Sequence, residues 1–143
     1  MENEMILRLL LAMVFGGAIG YVRELTKKAA GLRTHTLVCL GSAIFTLVSI
    51  YMAKGVPGAD PSRIAASVVT GIGFIGAGTI FQTGGSVRGL TTAASIWVCA
   101  AIGLAVGAGL YEIATISTIL SLIIVQLLQI FEKKYLRESE REG

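Results

Sequence analysis

Apolar residues along this chain come in long blocks, not in the alternation of a half-buried strand. Five such blocks, 6–22, 34–53, 64–82, 91–110 and 113–131, are nearly free of charge. Each is close to the ~20 residues a helix needs to cross a ~30 Å hydrocarbon layer. Short polar segments separate them, among them "RELTKKAAGLR", "KGVPGADPSR" and "GGSVRGL". Lipid admits only helices or closed barrels, and the period of two that marks a barrel strand is missing. The pattern therefore predicts an all-α polytopic membrane protein. Its five transmembrane helices occupy residues 1–131 and a short charged tail occupies 132–143. The tail, "EKKYLRESEREG", interleaves acids with bases and reads as a solvated helix end carrying intrahelical pairs. The first block lacks the basic lead of a secretory signal, since Glu2 and Glu4 precede it, so it is expected to be a retained helix.

Composition agrees. Of 143 residues 54% are hydrophobic and 15% charged, with a mean hydropathy of +0.76. A soluble domain of this length could not bury so much apolar surface. The net charge of +3 is unevenly placed. With five spans, one side receives Arg23, Lys27, Lys28, Arg33, Arg88, Lys133, Lys134, Arg137 and Arg141, and the other only Lys54 and Arg63. The excess of Lys and Arg on cytoplasmic loops puts the N-terminus outside and the C-terminus inside. Arg8 is left near the outer end of the first helix, where its stem could snorkel to the headgroups. The basic excess suits an anionic inner leaflet. It does not form the aromatic-studded patch of a nucleic-acid binder, so no nucleic-acid partner is expected.

The stretch "GIGFIGAGTI" contains Gly71-x-Gly73-x-x-Gly76, the spacing of a dinucleotide fingerprint. That device needs a strand before it, a helix after it and an acid about 20 residues on. Here an apolar run continues through the glycines and no acid falls between Asp60 and Glu112, so no cofactor is expected. Small residues instead let membrane helices approach closely. Ala12, Gly16 and Gly20 make one such stripe on the first helix; Ser95, Cys99, Gly103 and Gly107 make another on the fourth. Gly71, Gly73, Gly76 and Gly78 fall on several faces of the third helix. That predicts either crowding on all sides or a local break exposing carbonyls to a cavity. A break would let Thr70, Thr79 and Gln82 line a path for an ion or small solute.

No acid lies deep in a block, which removes the usual carboxylates of proton-coupled carriers, and no metal-ligand set is apparent. Cys39 and Cys99 sit in apolar blocks as small hydrophobes. The single histidine, His35, has no sequence neighbour that would complete a triad, so catalysis is not expected. Polar residues gather at the membrane faces. On the inner side Arg23, Glu24, Arg33, His35, Arg88, Thr91 and Thr92 come to similar depth and predict an Arg–Glu network with hydroxyl support. On the outer side Asp60 is placed as an N-cap with Pro61 at the first helical position and Arg63 just after.

The segments "GLRTHTLVCLGSAIF", "DPSRIAASVVTGIGFIGAGTIF" and "VRGLTTAASIWVCAAIGLAVG" closely resemble the membrane domain of the MgtC/SapB family of bacterial inner-membrane proteins. The match runs in order from Leu9 to Tyr111. The resemblance implies five transmembrane helices, a cytoplasmic C-terminal side, and a part in growth at low magnesium and, for some members, in survival inside hosts. It also implies action on membrane partners such as the ATP synthase. Relatives commonly read Gly-x-Glu-Arg-Glu where this chain has Gly20-Tyr21-Val22-Arg23-Glu24, which weakens an ion-site role for Val22. Longer members carry a cytoplasmic domain after the fifth helix, whose functions do not transfer to these residues. The expectation is a non-enzymatic regulator or partner-binding protein of magnesium homeostasis, packed with itself or another membrane complex. The alternative is a transporter of magnesium or another small solute with its pathway at the third helix.

Overall fold

A computed structural model describes residues 2–128. The charged tail at 132–143 and the end of the fifth block lie outside the described residues. Five α-helices follow one another: α1 (Glu2–Leu25), α2 (Leu32–Ala53), α3 (Ser62–Ala77), α4 (Leu90–Gly107) and α5 (Tyr111–Ile123), the last running into a π-helical turn at Ile124–Leu128. Three of them, α1, α2 and α4, are long and apolar enough to cross a membrane, whereas α3 and α5 are shorter.

The two stripes of small residues explain how the helices close. On α1, a Cβ at Gly16 would stand 2.6 Å from both Cys39 Cβ and the His35 carbonyl, and one at Gly20 would stand 2.7 Å from Leu32 Cα. On α4, a Cβ at Gly103 would strike the Cys39 carbonyl, and one at Gly107 would meet Thr46 Cβ at 2.7 Å. Both stripes thus press on α2 from different sides, with Cys39 between them. Without a hydrophobic drive inside lipid, contact of this closeness is what joins helices. Around it Ile19, Ala43, Cys99, Ile102 and Val106 form the core. α5 leans on α4 and α1.

The third block departs from expectation. α3 ends at Ala77 instead of continuing to Gln82, and the chain turns into a short antiparallel hairpin, β1 (Phe81–Thr83) and β2 (Ser86–Arg88), so the fold is not wholly helical. The cause is Gly84-Gly85, both at positive φ (56° and 85°). Two residues with φ > 0 make the tight turn whose twist suits paired strands. Nor is α3 broken or crowded. It runs unbroken through Gly71, Gly73 and Gly76, packs on α4 through Ile72 and through Gly76 against Ala93, and leaves Gly71 and Gly73 facing open space. The fingerprint spacing is therefore part of a helix, with no strand leading into it.

At the same end as the N-terminus of α1, Asp60 Oδ1 accepts the Ser62 N–H at 2.8 Å. The bond is of the kind expected of a cap, but the cap position itself falls on Pro61, which makes no side-chain cap bond, and regular helix starts at Ser62. Ser62 holds the Asp60 carboxyl below its ordinary 3.8. A carboxylate whose folded value is depressed adds stability above the unfolded value and loses it as pH falls through the folded one. Asp60→Ala is accordingly expected to melt earlier than the parent at neutral pH and to converge with it in strong acid; a constant difference across the titration would contradict the capping role. Arg8 is held by partners at that same end. Its Nη1 donates to the Gly107 carbonyl at 2.7 Å, closing the carboxyl end of α4, while Nη2 pairs with Glu4.

Candidate functional site

The most polar buried region lies where α1 ends, α2 begins and α4 begins. Its anchor is Arg23, in the last turn of α1 and only 1% exposed. A cation there complements the negative carboxyl end of its own helix. Its Nη2 donates to Thr92 Oγ1 at 2.7 Å, and its Nε to the Ala30 carbonyl at 3.3 Å. Glu24 does not join it. Adjacent residues on a helix point apart, and Glu24 Oε2 instead accepts the Leu32 N–H at 3.0 Å, placing an acid at the positive start of α2. Gly31 makes room for this approach, since a Cβ there would overlap the Glu24 carboxylate.

The second half of the cluster is His35, fully buried one turn into α2. Nδ1 lies 2.9 Å from the Gly31 carbonyl and Nε2 lies 3.0 Å from Ser95 Oγ. A carbonyl only accepts, so Nδ1 carries a hydrogen. Ser95 Oγ is also 2.8 Å from the Thr92 carbonyl. One hydroxyl hydrogen cannot serve both, so Ser95 either donates to a neutral His35 or accepts from a charged one while donating to Thr92. Cys99 Sγ, one turn further along α4, donates to the His35 carbonyl at 3.2 Å. The three helices are thus pinned by an unbroken chain of contacts from Arg23 through Thr92 and Ser95 to His35.

Of the inner-face residues singled out in the sequence, the structure gathers Arg23, His35 and Thr92. Arg33, Arg88 and Thr91 stay exposed outside the cluster. The expected Arg–Glu network is replaced by an arginine held by neutral oxygens, because Glu24 is spent on α2. Ser95, placed in the sequence among the packing residues, is the link that reading missed; its signal was the spacing Thr92-x-x-Ser95, which puts both hydroxyls on one face of α4. Cys99, Gly103 and Gly107 follow on the same buried face. Asp60 and Arg63 remain exposed at the other end.

The pathway residues do not converge. Thr70 Oγ1 is turned back on the Ala66 carbonyl at 3.2 Å, Thr79 Oγ1 on Gly76 at 2.8 Å, and Gln82 sits on β1 opposite Val87. Gly78 terminates α3. Among the described residues no three His, Cys, Asp or Glu side chains lie close enough together to hold a metal ion.

Comparison with known proteins places these features. The chain is 49% identical over 132 residues to "Putative magnesium transporter YhiD" of Escherichia coli (strain K12), covering 89% of this chain and 61% of that protein. It is 44% identical over 118 residues to "Protein MgtC" of Brucella abortus (strain 2308), covering 82% of this chain and 48% of that one. A Haemophilus influenzae protein matches at 40% over 141 residues, covering 94% of this chain and 59% of its own length. The chain therefore spans about half to three fifths of the curated relatives it matches. No solved structure matches it. The sequence pattern of the MgtC family covers residues 9–134, taking in all three helices of the buried cluster, and the chain belongs to that family.

Proposed function

We propose that this chain is a bacterial inner-membrane protein of magnesium homeostasis that acts as a regulator by binding another membrane protein, without enzymatic activity of its own. In this reading all five helices span, the N-terminus lies outside, and the end bearing Arg23, Lys27, Lys28, Arg33 and Arg88 faces the cytoplasm. The observation that carries it is the state of α3: an uninterrupted helix with Thr70, Thr79 and Gln82 pointing to different surroundings, which offers no common lining for an ion. The family resemblance supports a partner such as the ATP synthase. A homo-oligomer would have to form without the α1 and α4 stripes, which are already closed on α2.

The name borne by the Escherichia coli relative favours a second reading, direct magnesium transport. One experiment separates the two. The purified full chain is reconstituted in sealed liposomes and magnesium entry is followed, while the same chain is tested for growth at low magnesium in cells lacking it. Growth restored with entry no faster than in protein-free liposomes is the expected result. Entry well above that background would overturn regulation and establish transport.

A further inference from the structure

Between α2 and α3 runs a groove of ≈ 540 Å³ that no part of the described chain fills. We propose that it binds one acyl chain of a bilayer phospholipid, held as a fixed part of the α2/α3 interface. Four observations carry this.

The walls are hydrocarbon: Leu37 and Phe45 from α2 face Ile64, Val68 and Ile75 from α3. The polar side chains on the wall, Ser42 and Ser67, have already spent their hydrogens, on the Val38 carbonyl at 2.9 Å and the Arg63 carbonyl at 3.1 Å. A polar guest would find no donor, whereas an alkyl chain needs none. The length fits as well. Ile64 to Ile75 spans about 16 Å at 1.5 Å per residue, against about 15 Å for one leaflet of a ~30 Å hydrocarbon layer. Next, the groove exists because side chains are missing from it: Gly41 on α2 and Gly71 on α3 line it, and a Cβ on either would meet nothing within 4 Å. Finally, the groove reaches its Ile64 end beside the exposed Arg63, a guanidinium placed to meet a phosphate once the chain is seated.

The same open glycines supply the test. Gly41→Leu with Gly71→Leu fills the groove from both walls, each starting from a Cβ position with nothing within 4 Å, whereas Gly73→Leu adds one leucine at an equally open position outside it. Each full-length protein is extracted in mild detergent, washed, and assayed for retained phospholipid by extraction and mass spectrometry. The parent and Gly73→Leu are expected to hold one phospholipid per chain, and the double variant at least about tenfold less, since denying burial to two methylenes already suffices for that factor. Equal retention in all three would overturn the proposal. So would a shift from dimer to monomer in the double variant with lipid unchanged, which would make the occupant a second copy.

Should the double variant fail to fold, fluorescence gives an independent reading. Trp97 is the only tryptophan, so a Trp97→Phe background can carry either Phe45→Trp, on the groove wall, or Phe74→Trp, away from the groove on a side chain that is 85% exposed. Phospholipid with brominated chains should quench the first at about one lipid per protein and the second only as bulk lipid accumulates. Identical quenching curves would refute a fixed site.

Discussion

Gly103→Ala is expected to cost more than any other single methyl added along the packed stripes of α1 and α4. Its new carbon would land on the Cys39 carbonyl, with Ser42 Cβ at 2.8 Å. A backbone oxygen cannot rotate away, so relief requires α4 to back off α2, which loosens Gly107 against Ala43 and Thr46 as well. Overpacking a tight core costs about 1–3 kcal/mol, and this contact belongs at or above the upper end. The variant should be recovered poorly from membranes and melt well below the parent in detergent. Gly73→Ala supplies the contrast. It meets nothing within 4 Å and removes a helix-interior glycine, a change worth about 1 kcal/mol in favour of the helix. Opposite signs for the same chemical change, measured as two melting temperatures, check the packing directly; similar losses in both would refute it.

The second large effect is expected at Arg23. Thr92→Val removes the acceptor from a buried guanidinium, and a hydrogen bond to a charged group is worth about 1.5–3 kcal/mol. Arg23→Met alone leaves the Thr92 hydroxyl and the Ala30 carbonyl to find new partners. The pair Arg23→Met with Thr92→Val replaces the contact by apolar groups, which can be nearly neutral when both sides change together. Stability should therefore fall in each single variant and largely return in the double one, a coupling readable by a double-mutant cycle. Simple addition of the two losses would deny the contact. If the double variant is stable yet fails to restore growth at low magnesium, the junction of α1, α2 and α4 does more than hold the fold.

Much of this was legible in the sequence, for a physical reason. Membrane helices join through small residues at fixed spacing, and the two stripes, Gly16/Gly20 and Ser95/Cys99/Gly103/Gly107, name their own buried faces. What they close against could not be read from a stripe, which is why the sequence pointed to packing with itself or another membrane complex, whereas both stripes close on α2 within the chain. The end of α3 was hidden because "IGAGTIF" stays apolar after the helix stops; hydropathy reports depth, not hydrogen bonding. Gly84-Gly85 carried the hairpin, but a turn signal next to a membrane face also reads as a loop. The polar cluster was half legible. Arg23, His35 and Thr92 share one depth, yet depth does not say that Glu24 points the other way.

The early stop of α3 also has a consequence for the lipid around the protein. At 1.5 Å per residue its 16 residues reach about 24 Å, while the 22 of α2 reach about 33 Å. In the five-span reading proposed above, a bilayer matched to α2 would overshoot its neighbour by about 9 Å, so the film would have to thin on that flank or draw the hairpin, with Phe81 and Val87 exposed, into the headgroup layer. In that reading, such a one-sided mismatch would give the protein a preferred neighbourhood: thinner patches of membrane, and other proteins whose short helices demand the same thinning.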